Sequence, residues 1–269
     1  MEKPGQSVVP SEGWRLRGTM HNRITVVSAQ AALAVAACGF TACAANASFS
    51  ATLDGYSAGS YVSCGYNSAL AWDSSASVTM WSIRAFQHDF TRTDSGAEVL
   101  SWCVELYQGV SVGSTYVWDE VAAEAVPSNG NPGPMGALRA SVISDMFARW
   151  IDPLTGFIIG DLADRDAKSA AFQLAVWEIA HENFFASSAT GIVSEMSLSV
   201  GAFRSAPSTG ATAWYDAIHS SLGVGGFMTS GVYGWANASA QDQLALPPIP
   251  APGAIALLAL AGLSSRRRR

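Results

Sequence analysis

Residues 166–183 read DAKSAAFQLAVWEIAHEN, and this stretch decides the fold class. Its apolar side chains recur at helical spacing, so the pattern predicts a helix with one buried stripe. The stripe is formed by Ala170, Phe172, Ala175, Val176 and Ile179. Asp166 lies in the first turn, where a negative charge stabilises a helix N-terminus. The same spacing predicts an amphipathic helix over residues 136–150, which ends before Pro153, and a shorter one over residues 212–221.

The segments around these helices are rich in β-branched and aromatic residues. They predict strands over residues 78–86, 99–107 and 114–118, and a last strand near residues 231–235. A turn cluster of Pro, Gly and Asn at residues 127–134 separates the first strands from the helices. Strands followed by helices and a strand predict an α+β fold, an antiparallel β-sandwich or barrel with a helical insertion.

The composition limits the classes of protein that remain. The chain has 269 residues, of which 49% are hydrophobic, and its nine tryptophans can fill a core, so wholesale disorder is excluded. The formal net charge of −6 is unevenly distributed: residues 48–252 carry nineteen acidic and seven basic residues, a net charge of −12. We expect a body this acidic to repel nucleic acid and anionic membrane surfaces.

Residues 1–47 predict an N-terminal extension and a signal peptide, with translation starting at Met20. A short basic segment ends at Arg23, and an apolar stretch runs over residues 24–40. Ala45 and Ala47 then place small side chains at the two positions that a signal peptidase reads. A lipoprotein box ending at Cys38 is the alternative that remains open.

Residues 247–269 combine a Pro-rich motif, an apolar run over residues 254–263 and four terminal arginines. The apolar run is expected to enter a bilayer, with the arginines held in the cytoplasm. This tail resembles the PEP-CTERM type of bacterial sorting signal, with Ala251 where the named form has Glu. The resemblance implies export, transient anchoring in the inner membrane, processing by an exosortase-like enzyme, and release to the cell surface or an extracellular matrix. Residues 48–246 are then expected to form one domain.

Two short motifs are similar to enzyme motifs but lack the necessary context. Residues 55–59 match the Gly-x-Ser-x-Gly elbow of serine hydrolases around Ser57, yet the mature chain before them is too short for the strands that this fold requires. We predict a turn there. His181 and Glu182 match half of a zinc-protease motif, but Phe185 stands where the second histidine is needed. The pair is therefore predicted to be the solvated end of a helix, and no metal, cofactor or enzymatic turnover is expected.

Two cysteines remain after the signal peptide is removed, Cys64 and Cys103. In an exported protein, two cysteines form one disulfide by default. Gln173 and Trp177 are four residues apart and share a helix face. A glutamine between apolar residues in so hydrophobic a helix either hydrogen-bonds a neighbouring backbone or takes part in chemistry.

The residues around Cys103 and Gln173 resemble the thioester domains of bacterial surface adhesins. That family has a cysteine between large apolar residues on a strand, as in residues 102–104, and a downstream motif Thr-Gln-x-Ala-(Ile/Val)-Trp, as in residues 172–177. Phe172 stands where threonine is usual. The resemblance implies that the Cys103 sulfur and the Gln173 side-chain carbonyl join as an internal thioester. The residues expected to shield and position this bond are Trp102, Phe172, Ala175 and Trp177.

The chemistry requires a nucleophilic thiolate held against an unreactive amide, and positioning can contribute on the order of 7–11 kcal/mol. A surface ligand with a protein amine or a polysaccharide hydroxyl is then expected to attack once, leaving the ligand bonded to Gln173. Lys168 is the only lysine of the mature body, which limits attack by other copies. The alternative left open is a non-reactive structural matrix protein with a Cys64–Cys103 disulfide.

Overall fold

The sheet is built around an unusually long first strand, β1. The structure is a computed structural model that describes residues 47–247. Seven strands belong to the sheet: β1 (Ser48–Tyr66), β2 (Trp81–Arg92), β3 (Glu98–Cys103), β4 (Thr115–Ala122), β5 (Phe203–Ala206), β6 (Tyr233–Ala236) and β7 (Gln243–Ala245). Four α-helices accompany them: α1 (Gly136–Trp150), α2 (Arg165–His181), α3 (Ala189–Glu195) and α4 (Thr209–Ser221).

Every strand pairing is antiparallel. β1 pairs with β4 over residues 48–52, with β2 over residues 51–64 and with β5 over residues 63–66. β3, β7 and β6 connect β2 to β4, so six strands form a closed ring and β5 extends it at the end of β1. The predicted α+β fold with an antiparallel sheet and a helical insertion is confirmed, and the strands form a ring-like arrangement rather than a barrel. The helices are inserted between β4 and β6.

Two hydrophobic clusters stabilise this arrangement. Inside the ring, alternate residues of β1 face inward and pack against aromatic side chains of the other strands, as expected for a strand with one buried face. The cluster consists of Phe49, Ala51, Leu53, Phe90, Val99, Trp118, Trp235 and Ala245. The larger cluster lies around α2, which contacts β1, β2, α1 and α4. Every residue of α2 from Lys168 to His181 is buried, so this helix has no solvated face along most of its length.

The predicted elements agree with the structure to different degrees. α1 covers the predicted residues 136–150. α2 begins one residue before the predicted helix of residues 166–183 and ends two residues before its predicted end, and α4 begins three residues before its predicted start. β3 ends at Cys103, so the predicted strand was too long by residues 104–107. The expected last strand near residues 231–235 is followed by β7, which closes the sheet. β1, β5, β7 and α3 were not predicted.

The turn predicted at residues 55–59 is wrong, because these residues lie in the middle of β1. The pairing of β1 with β2 shifts register at the start of this stretch, between Leu53 and Gly55, and again within it, between Tyr56 and Ala58. Gly59 has a positive φ of 139°, and a Cβ atom there would collide with the backbone of β2. The glycine is therefore required by an irregular, closely packed strand and not by a turn.

The predicted signal peptide, start at Met20, lipoprotein box and sorting signal fall on residues 1–47 and 247–269, which, apart from Ala47 and Pro247, lie outside the described residues. Within residues 47–247, no helix is both long enough and apolar enough to span a membrane.

Candidate functional site

Cys103 is the last residue of β3, a strand that has a neighbouring strand on each side. β3 lies between β2 and β7, and Cys103 is opposite Gln243 of β7. The next residue, Val104, donates its N–H to the carbonyl of Asp242 at 3.0 Å, which fixes the chain as it leaves the strand. Cys103 is only 2% exposed, so its thiol is held in a fixed position away from solvent.

Gln173 lies in the middle of α2 and forms two hydrogen bonds with the backbone of Cys103. The Cys103 N–H donates to Gln173 Oε1 at 3.1 Å, and Gln173 Nε2 donates to the Cys103 carbonyl at 2.7 Å. Gln173 has no exposed surface. The structure therefore brings together the two residues that the sequence singled out, although they are 70 positions apart. The same contact fits the simpler expectation that this glutamine bonds a neighbouring backbone.

The Cys103 sulfur has two polar contacts. It accepts a hydrogen bond from Trp177 Nε1 at 3.3 Å and lies 3.0 Å from the Glu105 carbonyl, to which its S–H donates. Burial raises the pKa of the Cys103 thiol well above its usual value, and the Trp177 hydrogen bond opposes part of this rise. The sulfur is therefore a protonated thiol at neutral pH, and Trp177 stabilises the thiolate whenever it forms.

Three residues of α2 at intervals of four contact the end of β3: Gln173, Trp177 and His181. His181 Nε2 donates to the carbonyl of Val104 at 2.8 Å, and burial lowers the pKa of His181 to about 4. Because residues four apart share a helix face, one face of α2 contacts successive residues of the chain as it leaves the strand. This spacing fixes the rotation of α2 against β3.

The prediction that His181 and Glu182 form a solvated helix end is wrong. Both residues have no exposed surface. The Glu182 carboxylate accepts hydrogen bonds from three backbone N–H groups, those of Asn183, Ala202 and Phe203. The segment entering β5 covers the C-terminal end of α2, and the carboxylate satisfies backbone donors that are buried there.

The predicted shielding residues are all buried. Trp102, Phe172, Ala175 and Trp177 each have an exposed fraction of 1% or less. The rings of Trp102 and Phe172 lie 4.5 Å apart between their centroids, and Phe147 of α1 packs edge-on against Phe172 at 5.2 Å. Phe172, which stands where the resembled family has threonine, therefore joins three elements through aromatic packing.

The sequence reasoning missed a group of polar residues next to Cys103. Gln241 Nε2 donates to the Glu105 carbonyl at 2.7 Å, and the Asp242 N–H donates to Glu105 Oε2 at 2.8 Å. Gln243 Oε1 accepts from His88 Nδ1 and from the Ser101 hydroxyl, both at 3.0 Å. The run Gln241-Asp242-Gln243, directly before apolar residues, was the available signal, since buried polar side chains must find partners.

Cys64 lies in β1 as a second buried thiol. The structure holds both Cys64 and Cys103 as free thiols, with no disulfide between them. Burial raises the pKa of Cys64 to about 12, which suppresses its reactivity. The thiol of Cys64 therefore forms no covalent bond to another residue in this structure.

The residues of the two enzyme-like motifs have ordinary structural contacts. Ser57 Oγ donates to the side-chain oxygen of Gln87 at 3.1 Å rather than to a histidine. Among residues 47–247, no group of three or more His, Cys, Asp or Glu side chains is placed to hold a metal ion.

No protein-family model, curated protein or solved structure matches this chain. The functional argument consequently depends on the geometry around Cys103 and Gln173 and on the sequence motifs.

Proposed function

We propose that this protein is an exported surface or matrix protein in which Cys103 and Gln173 form an internal thioester for a single covalent attachment to a partner. The observation that carries the proposal is the pair of hydrogen bonds between the Gln173 amide and the Cys103 backbone. Both residues are buried, with an exposed fraction of 2% or less. These contacts hold an electrophilic carbonyl and a thiol of adjoining elements in one orientation.

Formation of the bond uses groups that already contact the reacting atoms. The Cys103 sulfur attacks Cδ of Gln173, the C–N bond breaks, and Nε2 leaves as ammonia with the thiol proton. The Cys103 N–H is 3.1 Å from Oε1, where negative charge develops, so it acts as an oxyanion donor. The Trp177 N–H stabilises the sulfur as it loses its proton.

Two features of the domain would protect an activated acyl–sulfur bond until a partner attacks it. Burial of Trp102, Phe172 and Trp177 limits the access of water, which would otherwise hydrolyse it. Lys168, the only lysine within residues 47–247, is 4% exposed, and its Nζ lies 4.4 Å from the centre of the Trp214 ring. The domain therefore presents no lysine amine to other copies of itself, and its thioester is preserved for a partner's amine or hydroxyl.

Intact mass of the mature protein, purified without reductant, tests the proposal. We expect the loss of one ammonia in the wild type and in Cys64→Ala, but not in Cys103→Ala or Gln173→Ala. Methylamine should add its whole mass at Gln173, which gives an N-methylamide one CH2 group heavier than the unmodified sequence, and release one titratable thiol. A loss of two hydrogens that requires Cys64 supports the non-reactive matrix protein with a disulfide instead. An unmodified mass with two titratable thiols contradicts the thioester.

Export and anchoring are part of the proposal and depend on residues 1–47 and 247–269. N-terminal sequencing of the protein secreted by a bacterial host should begin at Ser48, and a truncation before residue 247 should abolish transient retention in the inner membrane. Processing by an exosortase-like enzyme predicts that the released form lacks the terminal arginines. Retention of an intact C-terminus on the released protein contradicts this route.

A further inference from the structure

A small cavity of about 170 Å³ is lined in part by the residues that follow the end of β3. Its lining consists of residues 105–108 and 129–131, which include Glu105, Gln108, Asn129 and Asn131. Glu105 is the lining residue that also reaches the sulfur, because its carbonyl accepts the Cys103 S–H at 3.0 Å. The backbone of one residue that lines the cavity therefore lies next to the sulfur that leaves when a partner attacks.

The Glu105 carboxyl is 5% exposed and faces a second carboxylate, that of Asp242. Burial is the main reason that the pKa of Glu105 rises to about 7; the charge of Asp242 adds to the rise, and hydrogen bonds from the Asp242 N–H and the Asn129 side chain oppose it. The other titratable group close to it is the Cys103 thiol, whose own pKa Glu105 raises. A carboxyl of this kind exchanges a proton at neutral pH.

A second acceptor lies in the same cavity. The side-chain oxygen of Gln108 is buried and has no hydrogen-bond partner among residues 47–247, which is a costly state for a polar atom. Two residues of the lining thus carry a carboxyl group and an unsatisfied amide oxygen, both of which can accept hydrogen bonds. A primary ammonium group, with three N–H donors and a positive charge, complements both acceptors better than a hydroxyl does.

We propose, building on the thioester function above, that this cavity admits a primary amine of the partner and that the Glu105 carboxylate accepts the proton that the amine loses. The amine nitrogen attacks Cδ of Gln173, the C–S bond breaks and an amide forms. The proton passes from nitrogen to Glu105 and from Glu105 to the sulfur, so that the amine and thioester become an amide and the Cys103 thiol. The net negative charge of residues 48–252 favours the approach of cationic amines over that of anions.

The rate of methylamine incorporation, followed by intact mass from about pH 5 to about pH 9, tests this assignment. Below pH 7, both the free amine and the Glu105 carboxylate increase with pH, so the logarithm of the wild-type rate should rise with a slope of about two, changing to about one above pH 7. Glu105→Gln should retain the loss of ammonia, react about a hundredfold more slowly at pH 7, and show a slope of about one throughout.

Glu98→Gln is the matched control, because Glu98 is an exposed carboxylate at the opposite end of β3 and should behave as the wild type. A wild-type profile with a single slope overturns the role of Glu105, and this result does not depend on whether the variant folds. Equal rates with glycerol and methylamine overturn the preference for an amine. If the wild type shows no loss of ammonia, the thioester itself fails, which separates that outcome from a failure of Glu105.

Discussion

The indole nitrogen of Trp177 donates a hydrogen bond to the sulfur of Cys103 across 3.3 Å, joining α2 to the end of β3. Trp177 follows Gln173 by one helical turn, so the indole that contacts the sulfur and the amide that the proposed thioester would use are positioned by the same helix face. A slight rotation of α2 would displace both. The positions of the Gln173 amide and the Trp177 indole relative to the sulfur therefore depend on the packing of α2 against the sheet.

Replacing Trp177 by phenylalanine should slow formation of the thioester after refolding by about tenfold, because the thiolate loses one hydrogen bond while the aromatic volume is largely kept. The rate is measured as ammonia loss by intact mass. Trp235→Phe is the control, since Trp235 is equally buried but lies inside the strand ring. Equal slowing in both variants would indicate a general packing defect and contradict the role of the indole N–H.

Removing the Gln173 amide should destabilise the domain even when no thioester can form. In a Cys103→Ala background, Gln173→Leu leaves the N–H and carbonyl of residue 103 buried without partners, so the free energy of unfolding should fall by about 3 kcal/mol. Urea unfolding of the single and double variants measures this difference. A change of less than about 0.5 kcal/mol would mean that the two hydrogen bonds contribute little.

Reaction with methylamine should lower the melting temperature. The thioester links two positions 70 residues apart, and a crosslink closing a loop of this size stabilises a protein by about 4 kcal/mol in the chain-entropy description. For a domain of this size, the loss corresponds to about 10 °C. Calorimetry before and after treatment tests this, with Cys103→Ala as the control that should not shift. An unchanged melting temperature of the wild type would argue against a crosslink.

Acid should destabilise the fold partly through His88. Its ring is buried and donates to Gln243 Oε1, and burial lowers the pKa of His88 from 6.5 to about 4. Between these two pH values the unfolded chain binds a proton that the folded chain does not, so the free energy of unfolding falls as pH decreases through this interval, by about 3 kcal/mol for this residue.

His88→Gln should remove this share of the pH dependence. Other buried groups do not affect the comparison, because they are present in both proteins: His181, with a pKa also lowered to about 4, acts in the same direction as His88, and Glu105, with a raised pKa, acts in the opposite direction. Urea unfolding at about pH 7 and about pH 4.5 gives the change in the free energy of unfolding between these pH values for the wild type and for the variant. An equally steep fall in the variant would show that His88 does not titrate in this range.

Three of the four helices were predicted, because apolar spacing and nearby prolines are signals that lie within or next to the helix itself. α1 has the predicted bounds, since its apolar spacing and the following proline define both ends. Cys103 and Gln173 were identified from motifs, and their contact in space agrees with the expected strand-then-helix order. The prediction of one buried stripe on α2 was incomplete, because a periodic pattern does not show how many elements cover a helix.

The features that the sequence did not reveal depend on distant partners. β1 contains glycines at positions 55, 59 and 65, which lower strand propensity, and its irregular pairing is possible only against β2. His181 and Glu182 look solvated in sequence, and only the segment before β5 makes them buried. The polar residues beside Cys103 lie on β2, in and just after β3, and in and just before β7, and the whole helical insertion separates β3 from β7 in the sequence.

The all-round burial of α2 has a mechanical consequence. In the capture proposed above, a partner becomes tethered to Gln173, while the released sulfur stays with β3. A pulling force on the partner then enters the domain through a helix in which every residue from Lys168 to His181 is enclosed by sheet and helices. Such a load must extract the central helix of the domain before the tether yields, whereas a ligand attached to a surface loop could be detached by unravelling that loop alone.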